Sequence, residues 1–252
     1  MDTSNVNALA GRSVLITGAA RRIGAALARG FHAEGANVCI HFHHSAGAAE
    51  QLRDELNALR ADSAVCAAAD LLDLEALSGL VNRATSAFGR LDVLINNAST
   101  FYPTPLGTVT ARHWDDLMGT NLRAPLFLSQ AAAPALQQTR GSILNMIDIH
   151  AQRPLPQHPV YSSAKAGLIM LTRSLARELG PDVRVNGIAP GPILWPEGGL
   201  DEAVKQEIID KTLLKRSGSP ADIVRAALFF AKDAPFVTGQ ILAIDGGRSV
   251  GW

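Results

Sequence analysis

Short apolar segments alternate with longer segments of helical periodicity along the whole chain. The apolar segments are rich in Val, Ile and Leu with little polar alternation, which is typical of strands covered on both faces. Strands are predicted at 13–17, 37–42, 64–68, 93–96, 142–146, 183–188 and 241–244. Helices are predicted near 23–34, 46–60, 74–88, 110–138, 161–179 and 200–231, the last interrupted by Gly218 and Pro220.

This alternation predicts an α/β fold, a doubly wound parallel sheet of the Rossmann type with about seven strands and helices on both faces. No linker, composition shift or internal repeat divides the chain, so 1–252 is expected to be one domain. Residues 1–12 are expected to be a flexible segment. Residues 192–215, which include Trp195, are expected to be a substrate flap; the alternative is a structural connection with a packed Trp. The longest loops follow the fourth, fifth and sixth strands, at the edge where such sheets bind ligands.

Composition limits the partners and the compartment. Lys and Arg together number 23, as do Asp and Glu, so there is no electrostatic footprint for nucleic acid or an anionic membrane. No apolar segment approaches the roughly 18 residues that span a bilayer, and residues 1–12 do not resemble a secretory signal. Cys39 and Cys66 are expected to be reduced thiols. Together these features predict a soluble cytoplasmic protein.

Tyr161 and Lys165 stand one helical turn apart at the start of a predicted helix. Positions i and i+4 share a helix face, so both polar ends point into the same space. A free tyrosine ionises near pH ~10, and a neighbouring ammonium is expected to lower that pKa toward neutrality. The pair therefore predicts a general acid, although this spacing alone also arises by chance.

Residues 17–24, TGAARRIG, join the first strand to the first helix. Gly18 and its small neighbours let the backbone approach a phosphate, and the helix N-terminus offers free N–H groups. Arg22, beside Ile23, adds a guanidinium suited to bidentate phosphate contacts. The position of this loop, more than its weak motif, favours a dinucleotide-binding site.

The second strand ends in His41-Phe42-His43-His44-Ser45, without an acid. An NAD-selective site would place Asp or Glu here to bind the ribose 2′-hydroxyl. Donors from His41, His43 and Ser45 suit a 2′-phosphate instead, so the sequence favours NADPH over NADH. A metal site is the weaker interpretation because no Cys, Asp or Glu stands nearby, and His44 also fits a solvated loop.

Polar residues also follow the third and fourth strands. Asp70, next to Leu71, would bind the adenine amino group or cap a turn. Asn97, Ala98 and Ser99 would touch a ribose or satisfy open backbone groups.

Two further polar residues belong to the neighbourhood of Tyr161. Asp148 stands thirteen residues before it, just after the fifth strand. A carboxylate there would orient a substrate, hold a polar donor or pass a proton, unless it only faces water. Asn121, in the long helix before the fifth strand, would support a chain of water molecules or make a local backbone contact.

Taken together, these motifs resemble the short-chain dehydrogenase/reductase superfamily. The resemblance covers essentially the whole chain and rests on Thr17-Gly18-x-x-x-Arg22-Ile23-Gly24, Asp70, Asn96-Asn97-Ala98, Asn121, Tyr161-x-x-x-Lys165, Pro190-Gly191 and Asp245-Gly246-Gly247. It implies that Tyr161 is the acid, that Lys165 modulates its pKa and binds ribose, and that Asn121 supports a water. It also implies that Pro190 and Gly191 lie beside the nicotinamide, and that the family's usual homotetramer forms.

Two departures from the general pattern resemble pteridine reductases. Arg22 stands where the superfamily usually has glycine, and Asp148 stands where it has a catalytic serine. The segments 41–46, 97–105 and 245–247 share this resemblance. It implies that Phe101 stacks on a pterin ring, that Arg22 and Ser99 contact the pterin or the cofactor phosphates, and that Asp148 and Tyr161 handle protons.

The sequence thus predicts an NADPH-dependent reductase of dihydropterins, with oxidised pterins or dihydrofolate as further substrates. The catalytic residues are predicted to be Asp148, Tyr161, Lys165 and Asn121; the cofactor ligands Gly18, Arg22, Ile23, His41, His43, Ser45, Asp70, Leu71, Asn97, Ala98, Ser99, Tyr161, Lys165, Pro190 and Gly191; and the substrate ligands Arg22, Ser99, Phe101, Asp148 and Tyr161. Two alternatives are a general carbonyl reductase acting on 3-oxoacyl thioesters or sugars, and an NADPH-sensing regulatory protein without catalysis. Asp148 disfavours the first, and the presence of Tyr161, Lys165 and Asn121 disfavours the second.

Overall fold

Seven parallel strands form one sheet in the order β3-β2-β1-β4-β5-β6-β7. The structure is a computed structural model, and it describes residues 7–196 and 198–251. The strands are β1 (Ser13–Ile16), β2 (Asn37–Phe42), β3 (Ala64–Ala68), β4 (Val93–Asn96), β5 (Ser142–Met146), β6 (Arg184–Pro190) and β7 (Ile241–Ile244). The strand order reverses between β1 and β4, which creates the crevice where doubly wound sheets bind nucleotides. The predicted fold class is confirmed.

Eight α-helices connect or follow the strands in the described part of the chain. They are α1 (Arg22–Ala33), α2 (Ala46–Leu59), α3 (Leu74–Phe88), α4 (Ala111–Met118), α5 (Ala124–Thr139), α6 (Pro159–Leu179), α7 (Glu202–Asp210) and α8 (Pro220–Leu228). The predicted helix 110–138 comprises α4, a π-helical turn at Gly119–Arg123 and α5. The segment predicted over 200–231, with an interruption at Gly218 and Pro220, comprises α7, a non-helical connection at 211–219 that is longer than predicted, α8 and a π-helical turn at Phe229–Asp233.

The sheet buries both of its faces, which explains the missing polar alternation in the strands. In β1, Val14 and Ile16 pack into one core cluster with residues of α1, α2 and α8. Leu15 points to the other face and packs with residues of α3, α5 and α6. Because both layers are apolar, side chains on the two faces of a strand must both be hydrophobic.

The N-terminal segment is packed where the structure describes it. Residues 1–6 of the predicted flexible segment 1–12 lie outside the described residues. Leu9 is fully buried in the core, and its backbone N–H donates to the carbonyl of Glu34 at 2.9 Å. The prediction of a flexible segment is therefore corrected for residues 7–12. No helix of the described chain is long and apolar enough to cross a membrane.

Candidate active site

The carboxyl edge of the sheet gathers the predicted site residues. Asn97, Asp148 and Gly191 follow β4, β5 and β6, and these strands run in register beside one another. Tyr161 and Lys165 reach the same edge from the first turns of α6, which packs against β6 and the 3₁₀ turn after Asp148. Parallel strands therefore bring together residues that are far apart in sequence.

Tyr161 and Asp148 form the central contact. The Tyr161 hydroxyl donates to Oδ2 of Asp148 at 2.8 Å. The other carboxylate oxygen, Oδ1, accepts from the backbone N–H of His150 at 2.8 Å and so begins the 3₁₀ turn at Ile149–Ala151. Asp148 thus has a fixed orientation, with one oxygen directed at the tyrosine and the other held by backbone.

Lys165 is almost completely buried behind this pair. Its Nζ donates to the carbonyl of Met146 at 2.9 Å and lies 5.7 Å from the centroid of the Tyr161 ring. Burial lowers the pKa of Lys165 to about 8, while the nearby charge of Asp148 opposes that shift. The ammonium is therefore the predominant form of Lys165 at neutral pH, although its pKa lies closer to neutrality than that of an exposed lysine.

The expected lowering of the Tyr161 pKa was wrong. Burial, followed by the charge and hydrogen bond of Asp148, raises the pKa of Tyr161 well above its ordinary value. The carboxylate accepts the phenolic hydrogen bond directly, whereas the Lys165 ammonium is bound to the Met146 carbonyl. Tyr161 therefore keeps its proton, as a donor must, because burial and Asp148 both raise its proton affinity.

Asn121 holds the loop after β4 in place. It lies in the π-helical turn, 1% exposed, and its amide donates to the carbonyls of Leu117 at 2.9 Å and Thr100 at 3.0 Å. Its Oδ1 accepts from the Ser99 hydroxyl at 2.7 Å. The π-helical turn makes this contact possible because it places an inward amide between α4 and the loop. The water-supporting role implied by resemblance stays a prediction.

Phe101 provides a half-exposed aromatic surface next to Tyr161. The residue is 50% exposed, and its ring stands edge-to-face with the Tyr161 ring at a centroid distance of 4.8 Å. The ring of His158 stacks nearly parallel on Phe101 at 4.7 Å, with an interplanar angle of 9°. Sequence reasoning missed His158, since a lone histidine before Pro159 carries no signal of this contact.

The crevice between β1 and β4 has the close packing expected of a phosphate loop. Gly18 adopts φ +62°, and a Cβ there would lie 3.0 Å from Cα of Ala98. Asn97 donates through its side chain to the carbonyls of Thr17 and Gly18 at 2.8 and 3.2 Å. The Thr17 hydroxyl accepts from the backbone N–H groups of Asn97 and Ala98. Asn97 and Thr17 therefore fix the loop, a role for Thr17 that its motif position alone did not reveal.

Helix α1 begins directly after this loop and has no side-chain cap at Arg21. A Cβ at Gly24 would lie 2.1 Å from the Gly18 carbonyl, so glycine is required for this approach. Arg22 adopts φ +53°, a left-handed conformation that favours glycine. Its guanidinium donates to the backbone carbonyl of Trp195 at 2.9 Å. The predicted flap thus reaches the phosphate loop, next to Ile23.

His41 has a different place from the predicted one. Its Nδ1 accepts from the backbone N–H of Gly18 at 3.0 Å, so the ring proton resides on Nε2, which faces the carbonyl of Ala69 at 3.2 Å. Both ring nitrogens are therefore occupied by backbone. Burial lowers the pKa of His41 to about 4, so the ring is neutral. Instead of offering a free donor to a phosphate, His41 supports Gly18.

We expect this buried histidine to weaken the fold in mild acid. Because the pKa of His41 is depressed to about 4 in the folded protein, the unfolded chain binds more protons below its ordinary value of 6.5. Stability is thus lost as the pH falls from 6.5 through 4. Relative to His41→Asn, the parent should lose on the order of 3 kcal/mol of unfolding free energy over this window. Urea denaturation at a series of pH values measures it.

The matched substitution His44→Asn, at an exposed neighbour, reports the effect of the exchange itself. The structural assignment of His41 would be contradicted if the unfolding free energies of parent and His41→Asn ran parallel from neutral pH to pH 4. If the unfolding free energy of the parent depended on pH in the same way as that of His41→Asn, His41 would be able to take up a proton without losing its contacts.

A cavity of about 350 Å³ continues the crevice, and its walls include Gly18, His41, His43, Asp70, Leu71, Ala98 and Ser99. His43 is exposed and Ser45 half-buried, so their side chains are accessible. Asp70 accepts from the backbone N–H of Leu72 at 2.9 Å through Oδ1, the turn-capping role considered for it. The close glycine packing, the uncapped helix and this cavity suit a dinucleotide.

Pro190 and Gly191 complete the edge at the end of β6. Gly191 donates its N–H to the carbonyl of Ile244 at 3.0 Å, and a Cβ there would meet Asp245 at 2.6 Å. Ile193, two residues on, is buried in the core, so the flap is anchored at its start. Among the residues that the structure describes, no group of three His, Cys, Asp or Glu could hold a metal ion.

Comparison with known proteins agrees with this arrangement. Residues 18–249 match the family model described as enoyl-(acyl carrier protein) reductase. Pteridine reductase 1 of Leishmania tarentolae is 36% identical, over 94% of this chain and 96% of the relative. A 3-oxoacyl-(acyl-carrier-protein) reductase FabG of Staphylococcus aureus (strain Mu50 / ATCC 700699) is 34% identical, over 94% and 97%. The probable galactose dehydrogenase GalD of Rhizobium meliloti (strain 1021) is 38% identical, over 94% of both chains.

Proposed function

We propose that this chain, which belongs to the short-chain dehydrogenase/reductase family of oxidoreductases, is an NADPH-dependent pteridine reductase. Its substrate is a dihydropterin, with oxidised pterins and dihydrofolate as further candidates. The observation that carries the proposal is the 2.8 Å hydrogen bond between Tyr161 and Asp148 beside the exposed ring of Phe101. The similarity to a pteridine reductase supports the proposal. Because other oxidoreductases are about equally similar to this chain, the choice of substrate rests on the residues of the site.

The chemistry requires a proton donor and a flat platform. Reduction of a C=N bond in a heteroaromatic ring adds a hydride to carbon and a proton to nitrogen, and NADPH would supply the hydride. Tyr161 holds a proton because its pKa is raised, and Asp148 accepts its hydrogen bond. A carboxyl group can also bind an amino-pyrimidine edge or serve a ring nitrogen, which a serine hydroxyl does less well.

Phe101 would orient the substrate. The plane of the Phe101 ring is nearly perpendicular to that of the Tyr161 ring, so a substrate ring stacked on Phe101 would also stand edge-on to Tyr161. The ring of His158 stacks on one face of Phe101 at 4.7 Å, which supports Phe101 as a stacking surface for a flat ring. A stacked pterin would occupy this position or the opposite face of Phe101. Restricting its orientation contributes to catalysis by removing the entropic cost of alignment.

The residues of the crevice fit NADPH. Gly18 and the uncapped N-terminus of α1 would receive the pyrophosphate, with Ile23 in the first turn. The exposed His43 and the half-buried Ser45 would contact the 2′-phosphate, since no acid stands directly after β2 to repel it. Arg22 would bind a phosphate or the pterin, exchanging its bond to Trp195. The remaining cofactor contacts would come from residues along the same edge of the sheet. These residues are Asp70, Leu71, Asn97, Ala98, Ser99, Lys165, Pro190 and Gly191.

The deciding experiment measures oxidation of NADPH, and of NADH in parallel, with dihydrobiopterin and with a 3-oxoacyl thioester. We expect pterin-dependent oxidation that prefers NADPH. Phe101→Ala should reduce kcat/KM for the pterin by about tenfold or more, because stacking and alignment are lost. Phe236→Ala, which truncates a fully exposed phenylalanine, is the control.

Two outcomes would contradict the proposal. One is oxidation with the thioester alone, unaffected by Phe101→Ala. This would favour a general carbonyl reductase, the second candidate, which the similarity to the 3-oxoacyl reductase and the galactose dehydrogenase supports. The other is tight NADPH binding without turnover on either substrate.

The same proposal places the protein in the cytoplasm as a homotetramer. Exposed apolar side chains on α4, α5 and α6 support association of subunits; they are Trp114, Leu126, Phe127 and Met170. Both α4 and α5 pack against α6, the helix that carries Met170. Cys39 and Cys66 are free thiols, which is compatible with a reducing compartment.

A further inference from the structure

A second polar cavity opens at the amino edge of the sheet, opposite the candidate active site. Its volume is about 240 Å³, and its lining includes Arg12, Arg90, Arg140, Arg184, Asp92 and Ser142. The register of β4, β5 and β6 places Val93, Ser142 and Arg184 side by side at this edge. Four arginines from four separate segments therefore converge on one small space.

The charges around this cavity are not balanced. Asp92 is the single acid of the lining, and it is committed to Arg90 through two hydrogen bonds of 2.8 and 2.6 Å. Asp92 also accepts from the backbone N–H of Ser13 at 2.9 Å. Within the described residues, Arg12, Arg140 and Arg184 have no carboxylate partner, so three of the four guanidinium groups at this cavity are not paired with an acid.

A structural explanation accounts for Arg184 but not for its neighbours. The Arg184 guanidinium donates to the carbonyls of Phe230 and Ala234 at 2.8 and 3.1 Å, and so satisfies the end of the helical segment after α8. The side chains of Arg12 and Arg140 have no hydrogen-bond partner in the described chain. Burial, and then the charge of Arg12, lower the pKa of Arg184, so this grouping has an electrostatic cost.

Two further observations at the cavity point to a ligand. Ser142 is 6% exposed, and its hydroxyl has no hydrogen-bond partner among the described residues. Arg140 follows α5 in a left-handed conformation, φ +50°, at a C-terminal position where helices usually have glycine. The Arg140 side chain is exposed, so its guanidinium is accessible to an anion.

We propose that this cavity binds the phosphate group of a small metabolite, held by Arg12, Arg140 and the Ser142 hydroxyl, with Arg184 behind them. Guanidinium groups bind phosphate by paired, charge-assisted hydrogen bonds. The cavity of about 240 Å³ is large enough for a phosphate group with a small attached residue and smaller than the 350 Å³ cavity assigned to the dinucleotide. The site is separate from the nucleotide crevice, because it lies at the opposite ends of the same strands.

The test is thermal unfolding of the full-length protein in inorganic phosphate, compared with chloride at equal ionic strength. At a phosphate concentration about twenty times the Kd, binding should raise the Tm by about 3–6 °C. Arg12→Gln and Arg140→Gly should each abolish most of this rise. Since glycine suits the backbone at position 140, Arg140→Gly should fold at least as well as the parent. Arg177→Gln, an exposed arginine of α6, is the matched control and should retain the full response.

Three results would overturn the site. The first is an equal rise in Tm in the parent and in Arg140→Gly. The second is a rise that excess NADPH abolishes, which would place phosphate in the nucleotide crevice. The third is no rise beyond that of chloride. Succinate, tested in parallel, distinguishes a phosphate site from one that accepts any small dianion, and a larger response to succinate would reject the phosphate assignment.

Discussion

Replacing Tyr161 by Phe is expected to lower kcat/KM for pterin reduction by about 10²–10⁴-fold, the range typical of a lost general acid. The phenol is buried, and its raised pKa keeps it protonated at the pH of reaction. Phenylalanine preserves the ring and its edge contact with Phe101 but removes the proton and the 2.8 Å hydrogen bond to Asp148. Steady-state kinetics with NADPH and dihydrobiopterin measure the loss, and fluorescence titration should show nearly unchanged NADPH affinity.

The chain supplies a closely matched control for this substitution. Tyr102, the other tyrosine, also donates its hydroxyl to a carboxylate at 2.8 Å, that of Asp116, and its pKa is raised to about 12. Tyr102→Phe therefore removes an equivalent phenol–carboxylate bond outside the catalytic pair and should leave kcat within about twofold. Equal activity of Tyr161→Phe and the parent would remove Tyr161 from the proton path, whatever the substrate.

The sequence predicted the parts of this structure that depend on local pattern. All seven strands were located, because doubly covered strands are continuously apolar and bounded by turn residues. Asp148 and Tyr161 were expected to cooperate, and the structure brings them into contact. The prediction of interruptions within helices was less accurate, because the π-helical turn at Gly119–Arg123 depends on packing rather than on helix propensity.

Features that arise from contacts across the fold were not predictable. The stacking of His158 on Phe101 joins segments on two different loops. The bond from Arg22 to the Trp195 carbonyl spans 173 positions of sequence and involves a backbone acceptor, which any residue type provides. His41 was predicted to bind phosphate because its residue type is a donor, but burial and two backbone partners decide its state. For His41, residue type alone therefore did not predict the role, because burial and the backbone partners determine which ring nitrogen can donate.

Substitution of Asp148 tests the residue that distinguishes a pteridine reductase from a general carbonyl reductase in the proposed assignment. Asp148→Ser should lower kcat/KM for the pterin by about 10²-fold or more, because the carboxyl group that shares the Tyr161 proton is lost. It should also move the alkaline limb of the pH–rate profile to lower pH. The charge of Asp148 raises the pKa of both Tyr161 and Lys165, so without it the phenol loses its proton at a lower pH.

Asp148→Asn separates the charge of this residue from its structural contact. The amide oxygen of asparagine can still accept from the His150 N–H, so the 3₁₀ turn at Ile149–Ala151 should persist. If Asp148 acts through its negative charge and its hydrogen bond to Tyr161, Asp148→Asn should be as impaired as Asp148→Ser and show the same displaced alkaline limb. Full activity of Asp148→Asn would reduce Asp148 to a turn-forming residue. Thioester reduction that Asp148→Ser improves, without pterin turnover in the parent, would instead favour the carbonyl reductase, because a hydroxyl donates to a carbonyl oxygen and a carboxylate does not.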